Sequence, residues 1–141
     1  MSEQIVATLR RAASFLEEAE IDYMLIGGYA LPFYGMIRAT LDIDLAIAIR
    51  SEAQFEAFQK AAEEAGFTLT LGSFREPEST FLDQETGLEI EFWIRLDGVE
   101  WDEETLARRQ RKKIDEFEMW VISPEDFIVN KLARPDRGVQ D

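Results

Sequence analysis

The sequence predicts a mixed α/β or α+β fold, and three observations carry that reading. Residues 3–20 place Ile5, Leu9, Ala12, Ala13 and Leu16 at three- and four-residue steps, the spacing of one buried helix face. Residues 40–49 alternate instead, with Leu41, Ile43, Leu45, Ile47 and Ile49 on one side and Asp42, Asp44, Ala46 and Ala48 on the other, the period of a strand. Segments of both kinds interleave along 141 residues without an internal repeat, a linker or a low-complexity tract, so one domain over residues 1–141 is expected.

Each further element has its own signal. Ser2 and Glu3 suit the start of the first helix. Residues 21–26 form a short apolar strand, broken by Gly27-Gly28. Residues 29–34 read as one or two helical turns bent by Pro32 and stopped by Gly35. Ser51 is an N-cap for a helix over 52–65, with Phe55, Phe58, Ala62 and Ala65 inward and Gly66 as its stop. Strands follow at 67–71, 80–82 and 88–94, the last two around the turn Gln84-Glu85-Thr86-Gly87. A short helix is expected over 101–109 and a hairpin from 112–117 and 119–122. Ser123-Pro124-Glu125-Asp126 then opens a last helix, before Pro135 and Gly138 break the pattern.

Composition excludes several classes of function. Hydrophobic residues at 46% and aromatics at 11% argue for a packed core. No run of 18 apolar residues offers a membrane span, and the acidic, amphipathic start is not a signal peptide, so a cytoplasmic protein without membrane partners is expected. The absence of cysteine and histidine removes disulfides, thiolate zinc sites and imidazole chemistry. Any metal must be a hard cation held by oxygen. A net charge of −14 makes the chain a poor generic binder of nucleic acid, so contact with RNA or a nucleotide needs a local basic patch or a bridging cation.

The chemistry concentrates between Leu25 and Ile49. Asp42 and Asp44, two residues apart on a strand, send both carboxylates from one face, where their repulsion is relieved by a cation. Magnesium characteristically takes one or two protein carboxylates together with substrate phosphates. Ala46 and Ala48 continue that face without bulk and leave room for a ligand. The alternative is an acidic strand edge facing solvent. Gly27-Gly28 lies between a strand and a helical turn, where backbone N–H groups receive phosphate at close range; the alternative is a tight turn requiring positive φ.

Gly27-Gly28 followed by Asp42-Ile43-Asp44 resembles the signature of the nucleotidyltransferase superfamily with the polymerase-beta-like fold. More narrowly, LIGGYAL…YGMIRATLDIDLAIA resembles the minimal nucleotidyltransferases of toxin–antitoxin systems, and SPEDFIVNKLARPDRGVQD resembles the segment after their catalytic sheet. The resemblance implies a small mixed β-sheet flanked by helices. It implies transfer of a nucleotidyl group from a nucleoside triphosphate to a hydroxyl on a protein or RNA, assisted by two magnesium ions, with a partner toxin as a candidate target. Relatives commonly continue into another helix, so a C-terminal helix is expected to be cut short or absent here.

By the same resemblance, Asp42 and Asp44 bridge the ions, a third carboxylate on a neighbouring strand completes the site, and Gly27 and Gly28 hold the β- and γ-phosphates. Glu91 fits the third place best, with Glu89 as the fallback, although the family often has Asp there. With no histidine in the chain, Glu91 is also the expected base. Arg38 and Thr40 match a frequent Arg-x-Thr, and an ion pair with nearby acids is the alternative for Arg38. Lys131 matches a lysine of the last helix that touches phosphate; the alternative is a solvated lysine. The basic run Arg108-Arg109-Gln110-Arg111-Lys112-Lys113 offers an acceptor-RNA or partner-docking patch, or charge balance at a helix end. Trp93 shares the face of Glu89 and Glu91 and stacks a base or packs in the core. A binding module that neutralises a partner by contact, without catalysis, is the competing function.

Overall fold

A computed structural model describes residues 1–34 and 42–133. Its first helix, α1 (Glu3–Glu18), is capped by Ser2, whose Oγ accepts from the Ile5 amide. Strand β1 (Tyr23–Ile26) follows and is buried along its whole length. It passes directly into a 3₁₀ segment, Gly27–Tyr34, which packs against β1 and β2 (Ile43–Ile47). Ser51 caps α2 (Glu52–Glu64), accepting from the Gln54 amide, and Gly66 ends it at a φ of +96°. Then come β3 (Phe67–Leu71), β4 (Glu78–Asp83), β5 (Glu89–Trp93) and α3 (Glu103–Arg108). The hairpin β6 (Gln110–Ile114) and β7 (Phe117–Val121) leads into α4 (Pro124–Ala133), where Ser123 Oγ accepts from the Asp126 amide.

The strands form one seven-stranded mixed sheet in the order β3-β4-β5-β2-β1-β7-β6. β2 runs parallel to β5, and β1 parallel to β7, while the remaining neighbours are antiparallel. The sheet thus brings β2 and β5, separated by α2 and two strands in sequence, side by side at its centre.

The two faces of the sheet do different work. On one, Phe81 and Phe92 meet Phe15 of α1 and Phe58 of α2, with ring centroids 5.1–6.1 Å apart in mostly edge-to-face geometry. Phe58, Phe81 and Phe92 are fully buried, and truncating such a ring to alanine costs about 3–5 kcal/mol. Because side chains alternate, Asp44, Glu91, Trp93 and Glu78 all leave the opposite face. The helical layer over the phenylalanines therefore stiffens the strands from behind while the acids stand clear of it.

The structure shifts the bounds of several expected elements. β2 begins at Ile43, so Asp42 lies just before the strand rather than within it. β4 begins at Glu78, earlier than the expected Thr80, and β6 at Gln110 rather than Lys112. Ala46 is completely buried and offers no open floor for a ligand; its register partner is the bulky Trp93. Gly35, Arg38 and Thr40, and Pro135 and Gly138, lie outside the described residues. No helix among the described residues is long and apolar enough to cross a membrane.

Candidate active site

Three adjacent strand positions assemble the site. Ile26, the last residue of β1, pairs with Asp44 of β2, and Asp44 in turn pairs with Glu91 of β5. Immediately beyond Ile26, Gly27 adopts a φ of +70°, and a Cβ placed there would meet Asp44 Oδ2 at 2.8 Å. Glycine is required twice over at this point, by backbone conformation and by the closeness of a carboxylate. On the other side of Asp44, the Trp93 indole Nε1–H donates to Oδ1 at 3.0 Å. The two oxygens of Asp44 are thereby distinguished, one bound to the indole and the other turned toward the glycine turn.

Glu91 is half-buried beside its register partner Asp44, with Glu78 close by on β4. Burial pushes the Glu91 carboxyl up to about 9, and the hydrogen bonds and negative charges of Asp44 and Glu78 push in the same direction. Glu89 is exposed, two residues back along the same strand. The structure therefore brings Glu91, and not Glu89, opposite Asp44. Asp42 is exposed at the lip of β2.

The donor set fits a hard divalent cation: paired carboxylates on neighbouring strands, with no nitrogen or sulfur ligand. Among the described residues no three such side chains are already disposed as a cage, and Asp42 lies just before β2. Asp44 and Glu91 are thus in place as a pair.

Sequence reasoning missed Glu78 and the hydrogen bond from Trp93 to Asp44. Glu78 is the register partner of Trp93 on β4 and shares the face of Thr80, the partner of Glu91. Extending the alternation of β4 back by one step would have found it. Trp93 is half-buried and packed against the core, the second of its two expected roles, with its N–H on Asp44.

The remaining expected contacts are spread wider. Lys131 is on α4 with its ammonium 5.4 Å from the centre of the Phe127 ring. The three arginines of the basic run are engaged within the chain. Arg108 donates from Nε and Nη2 to the two Asp126 oxygens, both at 3.0 Å. Arg109 donates to the Tyr23 carbonyl at 2.9 Å and lies over Trp120, 4.1 Å from the ring centre. Arg111 bonds Glu17 at 2.8 Å. Tyr23 opens β1 and Gly27 follows its end, so Arg109 and Arg111 cluster at the end of β1 remote from the acids.

A mixed sheet that sets paired acids beside a strand-to-glycine turn is the architecture of the nucleotidyltransferase superfamily. The chain belongs to the family described as nucleotidyl transferase of unknown function (DUF2204), whose model matches residues 5–138. A comparison with curated proteins found no match. Among solved structures, a candidate nucleotidyltransferase from Thermotoga maritima superposes with a TM-score of 0.65 at 14% identity, covering 94% of this chain and 86% of its own. A lincomycin-bound lincosamide antibiotic adenylyltransferase gives a TM-score of 0.58 at 12% identity, with 91% and 84% covered. An antigenic nucleotidyltransferase-like protein from Paracoccidioides brasiliensis gives 0.59 at 16% identity, with 93% and 66% covered. At these identities the likeness is one of fold, and the family match is what makes the chain a nucleotidyltransferase.

Proposed function

We propose that the chain transfers a nucleotidyl group from a nucleoside triphosphate to a hydroxyl on a protein or RNA, with magnesium held by Asp42, Asp44 and Glu91. The pairing of Asp44 with Glu91 beside Gly27 is the observation that carries this reading. When bound, magnesium lowers the pKa of the attacking hydroxyl and neutralises charge on the triphosphate. Gly27 and Gly28 seat the β- and γ-phosphates through backbone N–H groups, and Arg38, Thr40 and Lys131 are further contacts for the nucleotide. Glu91 takes the proton of the acceptor hydroxyl. The acceptor oxygen bonds to the α-phosphorus, the bond to the α–β bridging oxygen breaks, and pyrophosphate leaves. A cytoplasmic toxin–antitoxin setting, with a toxin as acceptor, rests on the sequence resemblance around Gly27–Asp44 and after Ser123.

The test is label transfer. Each of the four nucleoside triphosphates, labelled at the α- or the γ-phosphate, is incubated with the protein, magnesium and candidate acceptors. Label retained from the α-position and not from the γ-position supports the reading. Transfer that persists at the wild-type rate in Asp44→Asn defeats it.

A further inference from the structure

We infer that Trp93 is a positioning residue, which fixes the carboxylate of Asp44 through its indole N–H and so sets the oxygen that Asp44 presents beside Gly27. The inference rests on the reading of Asp44 as a functional acid and adds to it a residue on which that acid depends.

Four observations converge on it. Trp93 and Asp44 belong to neighbouring parallel strands, one register step apart, because Trp93 pairs with Ala46. Ala46 has a small side chain, so the indole can lie across that position and reach back to Asp44 Oδ1 at 3.0 Å. Asp44 Oδ2 is then the oxygen directed at Gly27, where even a methyl group would approach to 2.8 Å. Finally, an indole N–H is a donor only, with no second function to draw it elsewhere, and Trp93 is half-buried and packed against the core, which restrains its ring.

The terminal torsion of an aspartate is broad. An indole donor restrained by core packing narrows it at Asp44 before a ligand arrives, together with the other contacts of that carboxylate. Partners of this kind behind metal-binding carboxylates are worth about 10- to 100-fold in metal affinity or activity when lost. Phenylalanine at position 93 keeps an aromatic ring against the core and deletes only the donor and one ring of bulk.

The experiment combines two measurements on the full chain. Manganese binding, read by the loss of the free-ion electron paramagnetic resonance signal, is compared for wild type, Trp93→Phe and Asp44→Asn, alongside kcat and KM for the triphosphate. Trp93→Phe is expected to weaken manganese about 10- to 100-fold and to lower kcat, with thermal unfolding still cooperative. In proton–nitrogen correlation spectra the chain has three indole signals, from Trp93, Trp101 and Trp120. The one absent from Trp93→Phe is expected to shift on magnesium addition and in Asp44→Asn.

Manganese affinity and kcat within twofold of wild type in Trp93→Phe would overturn the inference, as would an indole signal indifferent to both magnesium and Asp44→Asn. The spectral measurement on wild type stands even if Trp93→Phe folds poorly. If Asp44→Asn itself binds manganese and transfers nucleotide like wild type, the proposed site has failed, a result distinct from failure of Trp93 alone.

Discussion

Asp44 and Glu91 face one another in parallel register across β2 and β5, although 46 residues lie between them in the chain. Burial first, and the nearby negative charge of Asp44 with it, makes Glu91 hold its proton more tightly. Glu91→Gln is therefore expected to remove nucleotidyl transfer by about 10²- to 10⁴-fold, the scale of a lost acid–base group. In the presence of chelator at neutral pH its melting temperature should equal or exceed that of wild type, since an amide keeps the hydrogen-bonding capacity and removes a disfavoured carboxylate. Glu89→Gln, on the exposed start of β5, should transfer nucleotide at close to the wild-type rate. Steady-state kinetics and thermal melts of the two variants check the assignment, and a Glu89 variant as inactive as the Glu91 variant would reverse it.

Gly27 is the second point where one atom decides the outcome. Gly27→Ala must place a side chain in a left-handed backbone conformation, at about 1–2 kcal/mol, and drive its Cβ to 2.8 Å from Asp44 Oδ2. The carboxylate has to rotate away. Activity should fall by more than the stability loss explains, at least tenfold with most of the protein still folded. A Gly27→Ala variant that keeps wild-type kcat would show that the close approach to Asp44 is unimportant.

Much of this architecture is legible in the residues because local signals and tertiary context agree. Ser2, Ser51 and Ser123 each cap the helix that the sequence assigns them, and the phenylalanine spacing of α2 matches its buried side. The parts that escaped are those set by partners remote in sequence. Alternation puts Asp44 and Glu91 each on a strand face, and only the family resemblance, not a local signal, points to their meeting, which the crossover that makes β5 the neighbour of β2 brings about. Glu78 was missed because β4 reaches back to Glu78, with the Pro77 carbonyl just before it accepting from Ile94, so pairing with β5 extends the strand beyond its apolar stretch. Trp93 reads from sequence as core or stacking surface, since nothing local reveals an aspartate one register step away.

The basic run over residues 108–113 yields a prediction in the opposite direction from its appearance. Arg108 forms paired hydrogen bonds to Asp126, which is nearly buried, and its guanidinium lies 3.7 Å from Glu104. Arg108→Ala leaves Asp126 a desolvated charge without its guanidinium and should lower the melting temperature. If the run serves as structure, RNA binding by wild type and by Arg108→Ala should be equally weak at physiological salt. Filter binding with a generic RNA checks this, and an affinity that falls in Arg108→Ala with an unchanged melting temperature would restore the docking role.

The most acid-sensitive joint of the fold should be Asp83, at the end of β4. Its carboxylate is fully buried and accepts from Thr8 Oγ1 at 2.6 Å, from Arg11 Nη1 at 2.7 Å and from the Glu85 amide at 2.9 Å. Arg11 reaches on to the Ala65 carbonyl at 2.9 Å, so one aspartate ties α1, the end of α2 and the β4–β5 turn together. Burial alone would raise this carboxyl, but the bonds from Thr8, Arg11 and Glu85 outweigh it and hold the group below its ordinary value of 3.8. A depressed carboxyl contributes stability that is present above the unfolded pKa and is lost as pH falls through the lower folded value. Asp83→Asn is expected to cost about 3–5 kcal/mol at pH 7, the scale for breaking a buried pair while its partner stays. The gap between variant and wild type should hold from pH 7 down to about pH 4 and narrow below it. Urea melts at pH 7, 5, 4 and 3 measure that gap, and a gap that instead widens on acidification would show that Asp83 carries no depressed pKa.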